Sequence, residues 1–424
     1  MNLKPFRFSK GEILSLSLIL SLGGSPLWAQ TAGFAYVTNR GSNSVSAYAI
    51  NATGALTPVP ASPFGAGLGP SSVAVSPNGQ FAYVANATSS DVAAYTINAT
   101  TGALTPVPGS PFAAGSLPVS VAVSANFAYV ANVFSNDVSA YTVNATTGAL
   151  TPVPGSPFAQ PSDPWSVAVS PNGRFAYVTN LGGNVSAYTI NATTGALTPV
   201  PGSPFAAGGS PVSVTVHRSG QFAYVANQVS NNVSAYTINA TTGALTPVPG
   251  SPFAAGAVAS SVAVSANFAY VANAGSFNVS AYTINATTGV LTPVPGSPFA
   301  AGFQPESVAV SANFAYAANQ VSNDVSAYTI NATTGALTPV PGSPFAAGDS
   351  PVSVTTTAPA SSCKHDDEER DRDERRDGDE HSEGHEQGDD GHKGHKKHGC
   401  HHAGEKDFEE HHKDNVQESE RGRS

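Results

Sequence analysis

The side chains best suited to bind or react are concentrated at one end of the 424-residue chain. Ten of its eleven histidines and both cysteines lie between Cys363 and Ser424. His395, His398, Cys400, His401 and His402, with His411 and His412 beyond, offer imidazole and thiolate ligands suited to Zn, Ni or Cu. Their spacing fits no zinc finger. An EF-hand also fails, because Arg375 and Gly384 fall where ligands are needed when Gly378 is taken as the loop glycine. A solvated tail without a ligand is the competing reading, and a Cys363–Cys400 disulfide is open to an exported chain. The region is nearly free of large apolar residues, so residues 359–424 are expected to be disordered on their own.

Upstream, chemistry is scarce. The tail holds 12 of the 18 Lys and Arg and 21 of the 28 Asp and Glu, leaving six basic and seven acidic residues for the first 362 positions. Nucleic-acid binding is excluded for that body, since phosphate neutralisation needs clustered cations. Acid–base catalysis has few candidates. Past Lys10 the body has one histidine, His217, three arginines, Arg40, Arg174 and Arg218, and no lysine. No cofactor is expected for it.

The first 29 residues read as a signal peptide. Lys4, Arg7 and Lys10 precede an apolar stretch from Ile13 to Leu22, and small residues lead to Ala29. That stretch is about half of the roughly 20 residues a membrane span requires. Export to the periplasm or the outside is the expectation, with no transmembrane segment in the mature chain. Its core must then hold without disulfides, because both cysteines lie in the tail.

A repeat sets the architecture that must position the few chemical groups. Phe-Ala-Tyr segments start at Phe34, Phe81, Phe127, Phe175, Phe222, Phe268 and Phe314, 46 to 48 residues apart. Each unit, such as 72–112, carries four strand-like segments, SVAVS, FAYVAN, VAAYTIN and LTPVPGSPF, separated by the turn sequences SPNGQ, ATSSD and NATTGA. None has helical apolar spacing. Four strands per unit is the pattern of a propeller blade, so an all-β, seven-bladed propeller over residues 30–358 is expected. The body opens with a second strand near Gly33, and an unmatched first-strand copy, SVTTT, sits at Ser353–Thr357. Residues 33–65 and 352–357 should therefore complete one composite blade, three strands from one end of the chain and one from the other.

The motif F-A-Y-V-[TA]-N after S-V-A-V-S-P-N-G, followed by V-S-A-Y-T-I-N and T-G-A-L-T-P-V, resembles the YVTN repeat of the lactonase-type seven-bladed propellers, the 6-phosphogluconolactonase-like superfamily. The resemblance covers residues 33–357. It implies the propeller fold, and lactone hydrolysis as one function that fold can host. Family lactonases are expected to set Arg, His and carboxylate groups around the central channel, and no such set maps onto particular positions here. The segment TINATTGALTPVPGSPFAAG recurs with few changes in several blades, whereas a catalytic centre draws different residues from different blades. The reading is accordingly a secreted, monomeric, non-catalytic scaffold that binds a carbohydrate, cell-surface or protein ligand, with carbohydrate-lactone hydrolysis as the alternative.

Strand parity locates the binding face. Chain reversal at each turn puts the entry loops before first strands on the same side as the loops joining second and third strands. Asp91, Asp137 and Asp324 fall in the latter, Asp163, Glu306 and Asp349 in the former, and Arg40 joins them. Asn184, Asn232 and Asn278 at the position of the first three acids show that turn chemistry alone also suits such residues. The residue before each SV segment is Ser71, Val119, Trp165, Val212, Ser260, Glu306 or Val352, a ring expected near the channel mouth. Trp165 and Glu306 break the pattern three blades apart, where an aromatic face and a carboxylate suit a sugar ring or a cation. The binding set expected from sequence is therefore Trp165, Glu306, Asp163, Asp349 and Arg40.

Overall fold

A computed structural model describes residues 33–159 and 162–357. The signal peptide and the His/Cys tail expected from sequence lie outside these described residues. Within them are seven sheets and no helix. Blade 2 shows the plan: an inner strand, Pro70–Val75, then Phe81–Asn86, then Asp91–Ile97, with Leu104–Pro106 and Phe112–Ala113 outermost, all antiparallel. Blades 3 to 7 repeat it in chain order. Blade 1 combines Gly33–Asn39, Ser44–Ile50, Leu56–Pro58 and Phe64–Gly65 with Pro351–Thr356, which pairs with Gly33–Asn39 in a register that sets Val37 against Val354.

The fourth strand differs from the single segment read in the sequence. It breaks into two short pieces that both pair with the third strand, separated by Val107-Pro-Gly-Ser-Pro111. Proline has no N–H to offer a ladder, and the Ser110–Pro111 peptide is cis. The gap is sealed locally. Val107 N–H donates to the Ala94 carbonyl, and Ala94 N–H donates to Ser110 Oγ, each at 2.9 Å. An equivalent serine accepts in every other blade.

Burial explains why the sequence lacks the usual polar alternation. The second strand of blade 2, Phe81 to Asn86, is buried at every position, because a neighbouring blade covers each side of its sheet. Seven apolar cores result, each drawn from two consecutive blades. One joins Ala35, Val37 and Tyr48 of blade 1 to Tyr316, Ala318 and Val325 of blade 7, so the ring is packed all the way round.

The repeated residue types serve the joints between blades. Tyr83 Oη donates to the Gly148 carbonyl of the following blade, and every Phe-Ala-Tyr tyrosine makes this bond, at 2.9–3.0 Å. The tyrosines of the third strands reach the other way, as Tyr95 does to the Gly65 carbonyl of blade 1 at 2.6 Å. The Phe-Ala-Tyr phenylalanine packs so closely on the same turn that a Cβ on Gly102 would lie 2.3 Å from the Phe34 ring, and Gly102 has φ +73°. Only glycine fits there. At the centre, Val121 N–H donates to Ser72 Oγ and Val167 N–H to Ser120 Oγ. Seven such bonds of 3.1–3.3 Å link first strand to first strand around the axis, including Val73 to Ser353 and Val354 to Ser307.

Candidate functional site

The two loop families expected on one face do meet there. The loop after each second strand hydrogen-bonds to its own blade's entry loop: Arg40 N–H to Ser350 O, Ala87 N–H to Gly69 O, Leu181 N–H to Asp163 O and Gln320 N–H to Gln304 O, at 2.8–3.1 Å. In four blades an asparagine extends this lattice to the next blade, as Asn136 Oδ1 accepts from Asp163 N–H at 2.7 Å.

The acids on this face fall into two groups. Asp91, Asp137 and Asp324 open third strands, and each accepts a hydrogen bond of 2.6–2.7 Å from the buried asparagine ending the preceding strand, Asn86, Asn132 or Asn319. Asn180, Asn227 and Asn273 make the same bond to an asparagine. These acids therefore serve the sheet ends. The same asparagines explain the glycine of Phe-Ala-Ala-Gly: a Cβ on Gly115, Gly208 or Gly256 would lie within 2.7 Å of an asparagine side chain.

Asp163 and Asp349 are exposed in their entry loops, and Arg40 is exposed beside Asp349, linked through Gly41 N–H to the Asp349 carbonyl at 2.9 Å. Trp165 is 36% exposed at the head of its inner strand. Glu306 occupies the matching position in Pro305–Ser311 and is half-buried, which raises its carboxyl pKa by desolvation. No hydrogen bond or ion pair joins any two of these five side chains. The ring they were drawn from is also less uniform than the sequence suggests. Ser71 and Ser260 turn toward the next blade, donating Oγ–H to Pro118 O and Pro305 O at 2.8–2.9 Å, and Val212 is buried.

Sequence reasoning missed a second feature of this face. Besides Trp165, six large apolar side chains are exposed among the described residues: Leu68, Phe134, Val229, Phe277, Phe303 and Val321. All six sit in entry loops or loops after second strands. The signal was available, because each departs from the small or polar residue that some other blade carries at that place.

On the opposite face Arg174 and His217 make structural contacts. Arg174 Nη1 donates to the Ala240 carbonyl of the next blade at 3.1 Å and its guanidinium lies over the Phe175 ring. His217 Nε2 lies 3.0 Å from Ala266 O, which can only accept, so that nitrogen carries the proton, and Nδ1 accepts from Ser219 N–H. Arg218 is the one charged residue lining a cavity of about 310 Å³ formed with Val264, Asn267, Val310 and Asn313. No cluster of three metal-ligating side chains occurs among the described residues. The proposed tail ligands, His395, His398, Cys400, His401 and His402, lie outside them.

Seven four-layered antiparallel blades closed around an axis define a seven-bladed β-propeller. The profile of the family "Lactonase, 7-bladed beta-propeller" matches residues 27–123 and 159–356, and the chain belongs to that family. A profile of the LVIVD repeat matches residues 119–137. No curated protein matches the sequence. Among solved structures, one from Bacteroides uniformis, described as a candidate 6-phosphogluconolactonase, is similar with TM-score 0.68 and 19% identity, covering 77% of this chain and all of that one. The periplasmic gluconolactonase of Pseudomonas aeruginosa gives 0.65 and 18%, covering 77% of this chain and 99% of its own. At these identities the likeness establishes the fold.

Proposed function

We propose that this protein is a lactonase-class hydrolase of carbohydrate lactones, working at the loop face. The family match over most of the propeller carries the reading. Glu306 supports it chemically as the half-buried carboxyl at the head of an inner strand. Its carboxylate would take a proton from water as the water oxygen adds to the lactone carbonyl carbon. The ring C–O bond then breaks, and the same carboxyl returns the proton to the departing alkoxide. Trp165 offers an apolar surface for a sugar ring. Export fits the N-terminal pattern, and the Pseudomonas aeruginosa neighbour is described as periplasmic.

A non-catalytic scaffold is the second reading, favoured by the inter-blade bonds that occupy Arg174 and His217. Titrating acid release from a panel of sugar lactones separates the two. The hydrolase reading expects turnover that Glu306→Gln lowers at least about a hundredfold. Binding of a sugar lactone without turnover would establish the scaffold, and full activity in Glu306→Gln would remove the residue from the mechanism.

A further inference from the structure

Blades 6 and 7 carry a departure from the repeat that is costly to the fold. The fourth loop residue after the second strand is in left-handed backbone in six blades, with φ between 51° and 59°, and four of these residues are asparagines, Asn43, Asn136, Asn231 and Asn323. Asparagine tolerates that conformation, and all four accept a hydrogen bond from the next entry loop. In blade 6 the residue is Phe277, at φ +56°. A bulky aromatic is disfavoured there, and it offers Gln304 N–H no oxygen.

What replaces the lost bond is an aromatic contact. The Phe277 ring meets Phe303 of the following entry loop edge-to-face, with centroids 5.1 Å apart, yet both stay open to solvent, at 40% and 59%. Val321, whose N–H donates to the Phe303 carbonyl, extends the apolar surface. Strain concentrated at an exposed aromatic pair marks a functional surface better than a packing solution. Asp324 follows three residues after Val321, and across its seven blades this face sets six carboxylates against the single guanidinium of Arg40.

We propose that Phe277, Phe303 and Val321 form a docking platform for a cationic polypeptide segment, in which aromatic faces take the apolar stems and charged heads of Arg or Lys while the acidic balance of this face supplies long-range attraction. Open rings on a face that carries six carboxylates and one guanidinium are complementary to such a partner. The platform is independent of lactone hydrolysis.

The test uses the full chain and an oligoarginine peptide, with a neutral glucan oligosaccharide in parallel. Phe277→Asn installs the residue four other blades use, so the variant should melt at or above the parent temperature while binding the peptide about tenfold more weakly. Phe303→Ser should weaken binding similarly. The acidic tail is common to all three proteins, so only the difference between them reads the platform, and binding should weaken with added salt. Unchanged peptide affinity in both variants, or absence of peptide binding by the parent, would overturn the proposal. So would glucan binding that Phe277→Asn abolishes, which would make the platform a sugar site.

Discussion

Single side chains in this protein are committed mostly to the joints between blades, and their ionisation follows from that role. Thirteen tyrosines have hydroxyl pKa values raised by burial, Tyr95 and Tyr328 to about 12. A raised folded-state pKa means that the fold favours the protonated form. Stability from these groups is complete below the ordinary value of 10.0 and is lost as pH rises through the raised values. We expect steep alkaline unfolding, measurable by circular dichroism across that range. Tyr83→Phe, which removes the bond to Gly148, should cost about 1 kcal/mol in denaturant titration. Glu306 carries the same sign in a different window. From the ordinary carboxyl value of 4.5 upward, folding stability should fall as the half-buried group ionises, while lactone turnover, which needs the carboxylate, should rise. Parallel pH profiles of melting temperature and rate for the parent and Glu306→Gln check both, since the variant should flatten the stability slope.

Among the elements, strand count and order were legible because each blade is built from strand-length runs of β-branched and aromatic residues between turn sequences. The division of the outer strand was not. LTPVPGSPF reads as one extended segment, and only the hydroxyl of Ser110 filling the ladder opposite Ala94 shows how the interruption is satisfied. Ser110→Ala leaves a buried-edge N–H without its acceptor and should lower stability by about 1 to 2 kcal/mol, read from chemical denaturation. The candidate site was legible in part. Trp165 and Glu306 stood out against near-identical neighbours. Phe277 also departs from the asparagine that Asn43, Asn136, Asn231 and Asn323 set at its place, but what that departure costs, a left-handed backbone and a missing bond to Gln304, is visible only in coordinates. Likewise the glycines of Thr-Gly-Ala look like ordinary turn residues until the ring of Phe34 is found against Gly102. Gly102→Ala meets both a positive φ and that ring, so it should be far more damaging than Gly79→Ala, where φ is also positive but no atom lies within 4 Å.

At the level of the whole molecule, stability should behave as that of a closed ring rather than of a stack with ends. Removing 352–424 strips Gly33–Asn39 of its partner strand, takes away the Ser353 acceptor for Val73 N–H, and opens the core shared by blades 7 and 1. Removing 363–424 touches none of these. The first truncation should lower the melting temperature strongly and the second little, and equal values would argue against closure through that strand. The joint has a further property. Thr357 N–H donates to the Phe34 carbonyl, and Phe34 N–H to Thr357 Oγ1, both at 2.9 Å, so the two ends of the described propeller lie side by side. The tyrosine, serine and glycine contacts across that seam are the same as at the other joints, with Tyr316 bonding to Gly54 just as Tyr83 bonds to Gly148. The contacts of blade 1 with its neighbours thus do not depend on its inner strand being supplied by a distant part of the chain. A circular permutant, with 357 joined to 33 by a short linker and new termini in any Asn-Ala-Thr-Thr turn, should therefore recover the same structure. Its seam would then be covalent, and the order in which the blades are synthesised would become a free variable.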